Sequence, residues 1–84
     1  LQAPAPRYPR DAQRRRQQGT VLLRVHVDPR GNAGEIDIVS GSGTRSLDRA
    51  AVEAVRRWRF APAVRDGQPV AGTVQVPIDF TLQR

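Results

Sequence analysis

Cysteine is absent from this 84-residue chain, so it has no disulfide staple, no thiolate metal site and no nucleophilic thiol. Lysine is absent too. All fourteen basic residues are arginine, which removes the phosphate-binding lysine of a P-loop, a Schiff base and a lysine general base. No run of about eighteen apolar residues occurs, so no segment of this sequence is suited to span a membrane as a helix. Histidine occurs once, and His26 falls on the polar face of a strand with no triad partner that the sequence can identify. One histidine with scattered carboxylates is not expected to form a metal site. Ser42 and Ser46 lack a recognisable base, and Gly41-Ser42-Gly43 is too short a loop to cradle a nucleotide without lysine. Neither catalysis nor a cofactor is expected.

What is present is enough for one small domain with a net charge of +6. Residues 1–7 (LQAPAPR) read as the end of a proline-rich extended linker, and the domain as 8–84. The chain opens at Leu1 without an initiator methionine or signal pattern, so a longer protein with an anchor upstream is expected. Tyr8-Pro9 starts a short first helix. Pro9 suits its first position, Asp11 its N-terminal end and Arg14 to Arg16 its C-terminal end, with Gly19 as the stop. Thr20 to Asp28 alternates Val21, Leu23, Val25 and Val27 against Leu22, Arg24, His26 and Asp28, the pattern of a strand with one buried face. Asp28-Pro29-Arg30-Gly31 has the residue preferences of a type I turn, and Ile36 and Ile38 mark a second strand antiparallel to the first.

After a Ser/Gly loop, Leu47, Ala50, Ala51, Ala54, Val55 and Trp58 recur at helical spacing. Arg49–Glu53 and Glu53–Arg57 pairs lie four apart on the outer side of that helix. Pro62 ends it and Asp66-Gly67 marks a turn. Between Thr73 and Leu82, Val74, Val76, Ile78, Phe80 and Leu82 point to one face, and Thr73, Gln75, Pro77, Asp79 and Thr81 to the other. Pro77 has no N–H to give a ladder, which confines this last strand to an edge. The expected architecture is α+β: a three-stranded antiparallel sheet in the order second, first, third strand, with two helices packed on one face.

This order of elements brings a family into view. Tyr8-Pro9, Gly19-Thr20-Val21, Ser42-Gly43 with Leu47-Asp48 and Ala51, Arg56-Arg57-Trp58-Arg59-Phe60-Ala61-Pro62 and Val76-Pro77-Ile78-Asp79-Phe80 occur in sequence and span nearly the whole chain. Together they resemble the C-terminal domain of TonB-type energy transducers of Gram-negative bacteria. The resemblance implies a periplasmic domain on a proline-rich stalk, anchored in the inner membrane by an N-terminal helix that is not in this chain. It also implies a proton-driven inner-membrane motor complex reached through that missing part. The implied partner is an outer-membrane TonB-dependent transporter for siderophore, haem or cobalamin. Its TonB box would join the sheet as an added strand.

On that reading the partner-binding residues are Thr73, Val74, Gln75, Val76, Pro77, Ile78, Asp79, Phe80 and Thr81, helped near the transporter plug by Arg7, Tyr8 and Pro9. Main-chain bonds would supply affinity and alternate side chains preference. An open terminal strand can also pair with its own copy to give a homodimer. Two departures stand out: Arg7 replaces a frequent glutamine, and Arg15 and Gln17 stand where related domains carry aliphatic residues in the first helix. The arginine-rich end could also meet acidic transporter loops or peptidoglycan, which leaves an envelope-scaffold module as an alternative. Net charge alone would suit a nucleic-acid binder, but Phe80 and Trp58 lie on core stripes and leave no aromatic platform for bases, so no nucleic acid is expected.

Overall fold

The computed structural model describes residues 3–82. Helix α1 (Arg10–Arg14) leads into strands β1 (Gly19–Val27) and β2 (Ala33–Ser40), then helix α2 (Arg45–Arg56). Two short strands follow, β3 (Ala63–Arg65) and β4 (Gln68–Val70), and the last strand is β5 (Gly72–Phe80). The main sheet is antiparallel in the order β2-β1-β5, as the alternation and Pro77 predicted, with β5 at one edge. Both helices lie over one face: α2 packs against β1 and β2, and α1 against α2. Val21, Leu23 and Val25 of β1, Val76, Ile78 and Phe80 of β5, Leu47, Ala51 and Val55 of α2 and Ala12 of α1 meet in one apolar core. Each fully buried valine, leucine, isoleucine or phenylalanine side chain there contributes about 1.5–3 kcal/mol.

The first helix is shorter than its sequence pattern suggested. Pro9 is its N-cap, its carbonyl accepting the Gln13 N–H at 2.9 Å, and the helix ends well before Gly19, which instead opens β1. The terminator is Arg16, at φ 53°. The Gln17 N–H reaches the Ala12 carbonyl at 2.8 Å and the Arg16 N–H the Gln13 carbonyl at 3.1 Å. Those two bonds form a Schellman cap, with arginine in the left-handed position that glycine usually fills. On α2 the predicted apolar stripe is buried at Leu47, Ala51, Ala54 and Val55, while Ala50 and Trp58 pack at its margin. The Arg49–Glu53 and Glu53–Arg57 pairs do not close. Among the described residues the arginine ion pair is Arg14 with Asp11, and His26 lies 3.9 Å from Glu35 and 3.3 Å from Asp37. Exposed pairs of that kind gain so little that solvation of the separate groups competes evenly.

The Ser/Gly loop folds back onto the start of α2. The Asp48 carboxylate accepts the Ser42 N–H at 2.9 Å and the Ser42 hydroxyl at 2.8 Å, and Ser42 Oγ accepts the Thr44 N–H at 3.1 Å. These bonds close the loop ahead of a helix whose N-cap residue, Thr44, makes no side-chain capping bond of its own. The turn at Asp66-Gly67 proves to be the tip of a hairpin between β3 and β4. Both residues have positive φ, 50° and 77°, as a two-residue type I′ connection requires.

The turn between β1 and β2 is built on Asp28 and Gly31. The Gly31 N–H donates to the Asp28 carbonyl at 2.9 Å, and Asp28 Oδ1 accepts the N–H groups of Arg30 and Asn32, each at 2.9 Å. The Asn32 bond, with that from Arg30, holds the Asp28 carboxyl below the usual carboxylate range. Gly31 sits at φ 88°, and a side chain there would overlap the Phe60 carbonyl oxygen. The Phe60 N–H in turn bonds the Gly31 carbonyl at 2.8 Å, tying the chain after α2 to the hairpin.

Two predictions follow from this turn. Gly31→Ala combines a left-handed backbone with a backbone overlap, and should cost about 2–5 kcal/mol or prevent folding, as read by urea unfolding. Because the folded-state pKa of Asp28 is depressed, its stabilisation is present above the ordinary carboxylate range and lost as pH falls through the folded value. Asp28→Ala should therefore lower Tm at neutral pH, and its gap from the parent chain should close in acid; a gap that persists at the lowest pH would show that the carboxylate is not the source.

Candidate functional site

Strand β5 runs antiparallel to β1 over nine facing pairs, from Gly19↔Phe80 to Val27↔Gly72, with no register shift. Leu22 faces Pro77. A residue without an N–H fits the pair type in which the two strands exchange no bonds, and pair types alternate along an antiparallel ladder. It follows that Val74, Val76, Ile78 and Phe80 turn their backbone groups toward β1. Thr73, Gln75 and Asp79 turn N–H and C=O outward, and Pro77 turns out a carbonyl alone. Among the described residues no strand is hydrogen-bonded to the other side of β5, so this row of groups is open.

The side chains divide as the alternation required, with one exception. Val76, Ile78 and Phe80 are buried, while Thr73, Gln75, Pro77, Asp79 and Thr81 are exposed. Val74, placed by pattern on the buried face, is 41% exposed. The long helix packs chiefly on β1 and β2, and Val74 belongs to the edge strand. Thr81 and Leu82 lie just beyond the strand, and the Leu82 N–H bonds Gln18 Oε1 at 2.8 Å. Thr20 Oγ1 donates to Asp79 Oδ1 at 2.6 Å across the uncovered face, so Asp79 is held by its neighbour in β1.

The second predicted patch is drawn to the same end of the strand. The Tyr8 ring meets the Phe80 ring edge to face, with centroids 5.4 Å apart, and the Tyr8 hydroxyl donates to the Gln17 carbonyl. Trp58 Nε1–H donates to the Pro4 carbonyl at 2.9 Å, which holds the segment before Tyr8 beside the end of α2. Between them Pro4, Ala5, Arg7 and Pro9 wall a groove of about 370 Å³ against Arg49, Ala50 and Arg57. Arg7 is exposed, whereas Tyr8 and Pro9 are half-buried, so only part of this patch is free for contact. Gln17 is held through its backbone: its carbonyl takes the Tyr8 hydroxyl and its N–H closes the α1 cap. The helix docks through Ala12, which is fully buried, and Arg15 stays in solvent.

Sequence reasoning missed one assembly of functional groups. The carboxylates it treated as scattered are gathered by the β1–β2 register, which sets Arg24 opposite Asp37 and Val25 opposite Ile36. His26 Nε2 then lies 3.3 Å from Asp37 Oδ2 and 3.9 Å from Glu35 Oε1, on the sheet face away from the helices. The Glu35-Ile36-Asp37 spacing of two residues was the available signal, because it puts both carboxylates on the same side of one strand.

No helix among the described residues is long and apolar enough to cross a membrane. The family model for the Gram-negative bacterial TonB protein C-terminal matches residues 4–82. The protein tonB2 of Pseudomonas aeruginosa is 54% identical over 82 residues, covering 98% of this chain and 30% of its own length. The TonB protein of Vibrio cholerae is 44% identical over 78 residues, covering 93% of this chain and 32% of its own. The chain thus spans about a third of the length of the curated relatives it matches. The solution NMR structure of the Pseudomonas aeruginosa TonB C-terminal domain superposes with a TM-score of 0.84 at 30% identity, covering all of this chain (100%) and 85% of the other. A Helicobacter pylori TonB C-terminal domain (residues 194–285) gives 0.72 at 26% identity, over 94% of this chain and 83% of that one. With the strand order, the apolar core and the sequence motifs all in agreement, this chain belongs to the family of Gram-negative TonB C-terminal domains.

Proposed function

We propose that this chain is the periplasmic end of an inner-membrane-anchored TonB-type transducer. It takes the TonB box of an outer-membrane TonB-dependent transporter as an added strand along residues 73–81. Arg7, Tyr8 and Pro9 meet the plug beside the end of that strand. Through a preceding stalk and anchor, the domain passes on the work of a proton-driven motor complex for uptake of siderophore, haem or cobalamin. The observation that carries this reading is the open outer edge of β5 in a sheet of order β2-β1-β5.

Strand addition suits that edge physically. Each main-chain bond to an incoming strand contributes about 0.5–1.5 kcal/mol net, so a few of them give a weak, reversible contact. Pro77 withholds one donor from the edge, which lowers affinity for any strand and also limits pairing with a second copy of the domain. A pull along paired strands loads their bonds together in shear, whereas a pull at right angles would open them one by one. The function is that of a binding module that carries force.

Three measurements test this proposal. In an amide-resolved NMR titration with a short extended peptide from a transporter N-terminus, shifts should concentrate in residues 73–82, with a smaller patch at Arg7–Pro9. No shifts with several such peptides would overturn the docking reading in favour of an envelope scaffold. Gln75→Pro removes an outward N–H without touching the ladder to β1; it should leave the chain folded and weaken peptide binding about tenfold. Ile78→Asp, by contrast, places a charge at a position only 4% exposed and should abolish cooperative unfolding by circular dichroism.

A further inference from the structure

We propose that His26, Glu35 and Asp37 form a binding site for a divalent transition-metal ion, Zn²⁺ foremost, on the uncovered face of the sheet. One nitrogen and two oxygen donors converge from two hydrogen-bonded strands, and the three ligand atoms all lie within 4.8 Å of one another. A tetrahedral Zn²⁺ with bonds of roughly 2.0–2.2 Å needs donors about 3.4 Å apart. His26 Nε2 and Asp37 Oδ2 are already 3.3 Å apart, and Glu35 Oε1 is 3.9 Å from the same nitrogen. The Glu35 side chain is 77% exposed, so a small rotation closes the remaining gap at little packing cost.

The surroundings favour a cation over the alternatives. Fourteen arginines are present, yet among the described residues neither Glu35 nor Asp37 makes an ion pair with any of them. Arg24 stands across the ladder from Asp37 but makes no ion pair with it, so both carboxylates stay available to a cation bound at the imidazole. The imidazole is also oriented: His26 Nδ1 lies 3.4 Å from Thr73 Oγ1, which can accept the Nδ1–H and leave Nε2 free to ligate. An imidazole with two carboxylates suits Zn²⁺, Ni²⁺ or Cu²⁺ better than Mg²⁺ or Ca²⁺, which prefer all-oxygen sets of higher number. With His26 and Asp37 side chains 44% and 45% exposed, the fourth position opens to water. The site would clamp β1 to β2 and, through Thr73, reach the first residues of β5. This inference stands independently of the docking reading, since none of the three ligands lies on the β5 edge.

The test is calorimetric and NMR titration of this chain with ZnCl₂ at neutral pH in excess Mg²⁺. One Zn²⁺ per chain should bind, with amide shifts centred on residues 26, 35, 37 and 73 and a shift of the His26 ring Nε2 resonance. His26→Gln and Asp37→Asn should each weaken binding about tenfold or more, and Thr73→Val less. All three positions lie on the uncovered face, and an unchanged thermal transition without metal confirms that each variant is folded. Absence of binding up to about 1 mM Zn²⁺, equal binding of Mg²⁺, or undiminished binding by folded His26→Gln overturns the proposal.

Discussion

The pairing of β1 with β5 sets the terms for the rest of the molecule. Because Gly19↔Phe80 through Val27↔Gly72 run in one unbroken register, every second residue of both strands faces the helices together. A slip of β5 by one position would turn Val76, Ile78 and Phe80 to solvent at once while β1 kept its buried face. Leu22↔Pro77 adds a second lock to that register, since only a pair without bonds tolerates proline. The same alternation that buries the core therefore decides which backbone groups of β5 look outward.

Around this frame, small contacts substitute for a large core. Phe60 and Gly31 bond to each other through a gap that only a glycine leaves. Asp48 gathers the Ser42 loop at the start of α2, and Tyr8 covers the last buried ring of β5. Each contact joins an end of one element to a turn of another, so segments distant in sequence share the same few anchors. The surface charge is organised differently. Its arginines are mostly spread through solvent, while Glu35 and Asp37 meet at the His26 corner with no arginine paired to them among the described residues.

The strands and the long helix were legible because their apolar residues recur with a single period over enough length. The turn at Asp28 to Gly31 was legible from its residue preferences, and the edge position of β5 from one proline. What escaped had no local signature. The strands β3 and β4 are three residues each, too short for alternation to be visible. Arg16 ends the first helix in a left-handed conformation, a role that residue preferences assign to Gly19 instead. Val74 follows the buried pattern but sits on the edge strand, where exposure depends on tertiary cover that alternation does not encode. The open edge itself could be read from the alternation and Pro77, whereas the contact of Tyr8 with Phe80 and the meeting of His26 with Glu35 and Asp37 depend on register and tertiary placement.

The Tyr8–Phe80 contact and the Leu82–Gln18 bond also mean that the backbone traces a nearly closed circuit. Joining Tyr8 to Leu82 by a short flexible bridge would cost little loop-closure entropy, and the exposed Asp66-Gly67 tip offers a natural place to reopen the backbone. Such a circular permutant would keep every strand pairing while moving the free ends to the tip of the β3–β4 hairpin, so the attachment point and the sheet edge become separable by design.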